Sequence, residues 1–213
     1  MVTMPPARSL HRDDIVNAAI GIIERDGVDG LSMRRLATEL ESKPMTLYHY
    51  VASKSELLQL VLTEVAARIP WSRPQGPPRE RMIIVAVDMY NELAGISWIV
   101  PILRTGTTVG APALILADTF VSAAIELGID EVTAMSTWRA VWYIVASELQ
   151  WQDVLARRAP DEQSWYQTID PALLIDTPTI ARLLPNLPEY SRAFRIRDAV
   201  AAQIDGVLAH IRG

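Results

Sequence analysis

The chain has 213 residues, half of them apolar, a net charge of −5 and no cysteine; this balance excludes a disordered or fibrous chain, a disulfide scaffold and any thiolate metal site. Twenty basic residues against 25 acidic ones are the wrong balance for an indiscriminate nucleic-acid coat. The longest run without a charge, between Arg104 and Asp118, holds 13 residues broken by two glycines and a proline, short of the about 20 that a membrane-crossing helix requires.

The predicted elements are all helices. The first begins at Ser9 or His11 and runs to Asp26, because Ile15, Ala19, Ile22 and Ile23 recur at helical spacing, and Gly27 stops it. Ser32 is placed to cap a second helix whose inner face is Leu36, Ala37 and Leu40, with Arg34, Arg35 and Glu39 outward. Glu41-Ser42 makes a turn. Pro44 suits the first turn of a third helix, where Leu47 and Val51 lie one turn apart on the buried side. Ser53 with Glu56 three residues on reads as a capping box for a fourth helix that reaches Ile69, and Pro70 ends it.

Trp71-Ser-Arg-Pro-Gln-Gly-Pro-Pro78 reads as a linker, so the domain boundary is expected between 1–69 and 70–213. The smaller part carries 8 basic and 9 acidic residues and the larger 12 and 16, so neither is basic overall. Helices are predicted over 79–93, 98–103 and 112–127, and Asp130 caps the longest, which runs to about Arg158. Residues 159–178 read as a loop, Thr177-Pro178 caps a short helix to Leu184, and a last helix covers 189–211. Within the longest helix, Ala140-Val-Trp-Tyr-Ile-Val-Ala146 is apolar on every side and must be covered all round. Self-association meets that need: the long helix near 130–158 and the last near 189–211, with a stripe of Phe194, Ile196, Val200, Ile204 and Leu208, would form a four-helix homodimer interface, the alternative being a purely internal core.

Both lysines of the chain, Lys43 and Lys54, fall between Leu31 and Lys54, whereas the other 18 cations are arginines. There, two short helices meet at a tight turn, the second carries Thr46, Tyr48 and His49, and a cation opens the next helix. Such an arrangement suits a DNA groove and its flanking phosphates. Residues 9–69 resemble the N-terminal DNA-binding domain of TetR-family transcriptional repressors. The resemblance rests on Ile15, Ala18, Ala19 and Gly27, on Leu31-Ser32-x-Arg34-Arg35-Leu36-Ala37-x-x-Leu40, on Thr46-Leu47-Tyr48, and on Val51-x-x-Lys54 with Leu57-Leu58. It implies an all-α fold: a three-helix helix-turn-helix domain followed by a larger helical ligand-binding and dimerisation domain, in a cytoplasmic regulator that binds operator DNA.

Tyr48 and Lys54 are candidate phosphate contacts that set register, and Thr46 and His49 project toward base edges. Ser32 and Arg34 resemble the family's backbone contacts, with Arg34 also able to reach a guanine; Lys43 stands at the mouth of the reading helix. Tyr48 and Tyr50 also fit a packing role, and Arg35 an ion pair with Glu39. Two departures from the family pattern stand out. Glu41 occupies a turn where many members have glycine, and Pro44-Met45 replaces residues that would supply one base contact.

For the larger domain the resemblance, weaker and of the tetracycline-repressor type, implies a small-molecule site. Trp98, Trp138, Trp142 and Trp151 with Met82, Met89 and Met135 suit a roomy apolar pocket for an apolar or aromatic effector. The magnesium ligands of that type are replaced: Arg104-Thr-Gly-Thr107 stands where a histidine precedes Gly-Thr, and Trp151 where a glutamate stands. No metal and no cofactor is expected, and Arg104 becomes a candidate for an anionic or carbonyl group. The ligand-binding candidates are thus Trp98, Arg104, Met135, Trp138, Trp142 and Trp151. Two rivals remain: a small all-α enzyme, disfavoured by the absence of any recognisable nucleophile and base spacing, and an interaction protein on the same scaffold that has lost DNA binding.

Overall fold

Side chains and turn residues set most helix ends where the sequence predicts. The computed structural model describes residues 10–103, 109–159 and 161–212, and among these there is no strand. Helix α1 spans Arg12–Asp26 and is closed by Gly27 at φ 73°. Ser32 Oγ accepts from Arg35 N–H at 3.2 Å to open α2, Met33–Glu39. Helix α3, Pro44–Tyr48, starts on its proline, and Ser53 Oγ accepts from Glu56 N–H at 3.1 Å at the head of α4, Lys54–Arg68. The reciprocal half of that box reaches one residue further back than expected, since Glu56 accepts from Ala52 N–H at 2.7 Å. Glu56 also holds Arg12 at 2.6 Å, which ties α4 to α1.

The chain continues through α5 (Pro78–Ala94), α6 (Ile99–Leu103), α7 (Leu114–Glu126) and α8 (Glu131–Arg157). Asp130 caps α8, accepting from Val132 and Thr133 N–H at 3.1 Å each, and the Thr133 side chain, with these backbone bonds after it, holds its carboxyl below the usual range. The segment expected as a loop contains α9 (Trp165–Thr168) and a 3₁₀ turn over Pro171–Leu174. Ser164 and Asp170 start them with local side-chain bonds, too short-ranged to leave a periodic signal. Thr177 precedes α10 (Pro178–Leu183), but its hydroxyl donates backwards to Leu174 O rather than capping forwards. The predicted last helix is two: α11 (Leu187–Ala193) and α12 (Ile196–Arg212). Extended ψ at Phe194 breaks it, and Arg195 turns its guanidinium onto the Arg192 and Phe194 carbonyls released there.

Two compact units result, one within Met1–Arg73 and Asn91–Thr119, the other within Pro74–Tyr90 and Phe120–Gly213. In the first, α1 packs on α2 and α4, and α2 on α3. Its core includes Ile15, Ile22, Leu36, Leu47, Leu57 and Val61, all removed from solvent. The 3₁₀ turn Ala111–Ala113 lies against α4. Contact there is so close that a Cβ on Gly110 would sit 2.6 Å from both Leu62 O and Ala66 Cβ, while Gln59 Nε2 donates to Val109 O at 2.6 Å beside it. Gly110 has φ −72°, so alanine is conformationally acceptable and the penalty is steric alone. Gly110→Ala is therefore expected to cost about 1–3 kcal/mol in a denaturant melt; an unchanged midpoint refutes the close approach.

In the second unit α8 packs along α12. Ala134, Val141, Val145 and Leu149 face inward from α8, as do Val200, Ile204 and Leu208 from α12. Arg79 bridges to Asp205 through two bonds of 2.6 and 2.7 Å, and Arg81 pairs with Glu126. Each arginine, mainly through its hydrogen bond, holds its partner carboxyl below the ordinary value. A depressed carboxylate stabilises the fold above its unfolded pKa and loses that contribution as pH falls through the lower folded value. The thermal midpoint should thus stay level from neutrality to about pH 5 and drop below about pH 4. Arg79→Met should flatten that drop; an equal drop in the variant refutes the assignment.

Candidate nucleic-acid interface and effector domain

The turn before α3 decides what the reading helix presents. Ser42 N–H bonds Ala37 O at 2.8 Å and Glu41 N–H bonds Thr38 O at 3.1 Å, the paired bonds of a Schellman ending. Glu41 takes the left-handed place at φ 50°. A non-glycine residue there costs on the order of 1 kcal/mol, and the sequence signal for that cost was the missing glycine. With α2 closed so tightly, α3 emerges with Leu47 inward and with Lys43, Met45, Tyr48 and His49 exposed; Thr46 is half-buried.

The cations near this face divide into two groups. Arg35 is engaged with Asp26 and with Gly30 O, and Glu39 with Arg25 at 2.8 Å, so the anticipated Arg35–Glu39 pair does not form. Lys54 Nζ donates to Leu31 O at 2.7 Å and Val28 O at 3.4 Å. It holds the start of α4 against the turn before α2, and one N–H stays available to a phosphate. By contrast, among the described residues no ion pair or hydrogen bond engages the Arg34 guanidinium or the Lys43 ammonium. Both are exposed. Ser32, whose Oγ serves as the α2 cap, keeps its hydroxyl hydrogen to donate. Ser32, Arg34, Arg35, Thr38 and Glu39 line an open groove beside this face. The structure thus brings Ser32, Arg34, Lys43, Thr46, Tyr48, His49 and Lys54 into the one small helical domain, with Arg34 and Lys43 uncommitted among the described residues.

The six candidate effector contacts are not gathered in the same way. Trp98 is buried in the first unit, next to α6. Trp138 and Trp142 are half-buried on α8 in the second, and the Trp138 ring lies 5.3 Å from Phe120, tilted by 52°. Met135 and Trp151 turn outward on the same helix and are about half exposed. Arg104 lies outside the described residues. No group of three or more metal-ligating side chains occurs among the described residues, and no described helix is long and apolar enough to cross a membrane. Sequence reasoning overlooked Tyr90, whose phenol is pushed up by burial and by the nearby Glu148 carboxylate. No local motif marks that pair, which is 58 residues apart in the chain.

A family model described as the bacterial regulatory proteins of the tetR family matches residues 15–61, from α1 into α4. Over that segment the chain resembles the TetR family. The chain is 29% identical over 140 residues to an HTH-type transcriptional regulator of Saccharopolyspora erythraea, the match taking in 65% of this chain and 59% of that one. It is 48% identical over 60 residues to the transcriptional repressor DrrR1 of Streptomyces coeruleorubidus, covering 28% of this chain and 22% of that one. The matched part is thus less than two thirds of either relative. The structure of the TetR family protein ActR of Streptomyces coelicolor in complex with actinorhodin superposes with a TM-score of 0.76 at 21% identity, over 95% of this chain and 99% of that one. That likeness establishes the shared fold: a helix-turn-helix domain followed by a helical second domain.

Proposed function

We propose that this chain is a ligand-responsive transcriptional regulator, in its default a repressor, that binds a near-palindromic operator as a cytoplasmic homodimer and releases it on binding a small apolar or aromatic effector. The observation that carries the reading is the exposed α3 face beside Arg34 and Lys43, two cations that satisfy no partner within the described protein. Phosphates supply such partners, and base edges suit Thr46 and His49. Tyr48 and Lys54 supply register. The homodimer is supported by α8 and α12. Val132, Met135, Tyr143, Trp151 and Val154 leave α8 largely uncovered, Tyr143 by 58% and Trp151 by 48%, and Ala202 and Gly206 form an open seam on α12. A second copy of the same pair buries both. Two reading heads then enter successive major grooves about 34–36 Å apart. The aromatic side chains of the second unit, with Trp138 and Trp142 half-buried on α8, support the effector class.

Binding of the full chain to its selected operator, followed by fluorescence polarisation across a salt series, tests the reading. Arg34→Ala and Lys43→Ala should each weaken binding to all sequences about equally, and each should lower the slope of log K against log salt by about 1 per contact. Salt-independent binding, or binding indifferent to sequence, rejects it.

A further inference from the structure

Met45 is the most exposed large apolar side chain of α3, 70% against 45% for Tyr48, at the second position of the helix, while Leu47 is buried in the core. It lies three and four residues before Tyr48 and His49 and so shares their face. Lys43 stands just ahead of it. A thioether this exposed adds nothing to the packing of the domain, and it has no donor for a phosphate. Pro44 fixes the first helical residue, so the Met45 side chain leaves the helix from a stiff base and carries its flexibility outward.

We infer that Met45 reads a thymine C5-methyl group, one in each half-site of the operator. The inference rests on the DNA-binding reading above. The thymine methyl is the apolar feature that a base pair presents in the major groove, so an exposed apolar side chain on the reading face has one chemical complement there. Burial of that methyl against the thioether selects a thymine without a hydrogen bond. Thr46 also carries a methyl, and stands beside His49 at the edge of the same face, but it is half-buried where Met45 is exposed.

The test uses the full chain and duplexes selected from a randomised pool. Each thymine of the selected operator is replaced in turn by deoxyuridine, which removes the methyl and leaves the pairing edge intact. One symmetry-related thymine per half-site should be sensitive, with affinity falling about fourfold for each, the worth of one buried methyl group. Met45→Ala should bind the thymine and uracil duplexes within a factor of two of each other. Met45→Leu and Thr46→Ser should retain the discrimination, and an unchanged thermal midpoint for Met45→Ala shows that the domain is intact. Sequence-selective binding with no methyl-sensitive position, or sensitivity that survives in Met45→Ala, overturns the inference and leaves the DNA-binding reading standing. A pool that yields no selective duplex overturns both.

Discussion

Leu47→Ala should destabilise the first unit by about 2–5 kcal/mol and abolish sequence-selective DNA binding. Leu47 is 0% exposed and is the one buried residue of α3, a helix of five residues. So short a helix has no stability of its own in water and exists because its buried face is held. Removing three methyl-sized groups from that face leaves a cavity beneath the reading surface, and the side chains that depend on its orientation lose their common face. A denaturant melt followed by circular dichroism gives the stability, and polarisation with the selected operator gives the binding. A loss under about 1 kcal/mol with operator affinity intact would show that other contacts hold α3.

Phe120→Ala should cost about 3–5 kcal/mol in the second unit. The Phe120 side chain is 0% exposed, and its ring packs tilted against Trp138. Its neighbours on α7, Ala123 and Ala124, are small and fully buried, so they offer no side chain that could swing into the vacated space. Intrinsic fluorescence reports the change directly, because Trp138 gains access to water when the ring is lost. Phe120→Leu, which keeps most of the volume, should lose less than half as much. Equal losses for the two substitutions would show that ring geometry, and not filled volume, is what matters.

Much of this follows from local chemistry. Gly27, Ser32, Ser53 and Asp130 end or begin helices through groups within a few residues, and each stands at the predicted place. Apolar spacing likewise marked the buried faces of α1 and α4. The exposed face of α3 was legible for the same reason: a short helix after a tight turn displays its residues by register. The break at Phe194 was not, because the apolar stripe runs through it and no proline or glycine marks the spot. The Lys54 bonds to Leu31 O and Val28 O, and the Arg35 pairing with Asp26 in place of Glu39, depend on how α1, α2 and α4 converge.

By itself, then, the sequence determined a helical chain, its caps and turns, and the face that α3 shows, since all of these depend on neighbours within a turn or two. Only the tertiary structure decided which cations remain uncommitted, that Asn91–Thr119 groups with the first unit, and that Gly110 lies against α4. These depend on contacts between residues tens of positions apart, and spacing along the chain carries no record of them.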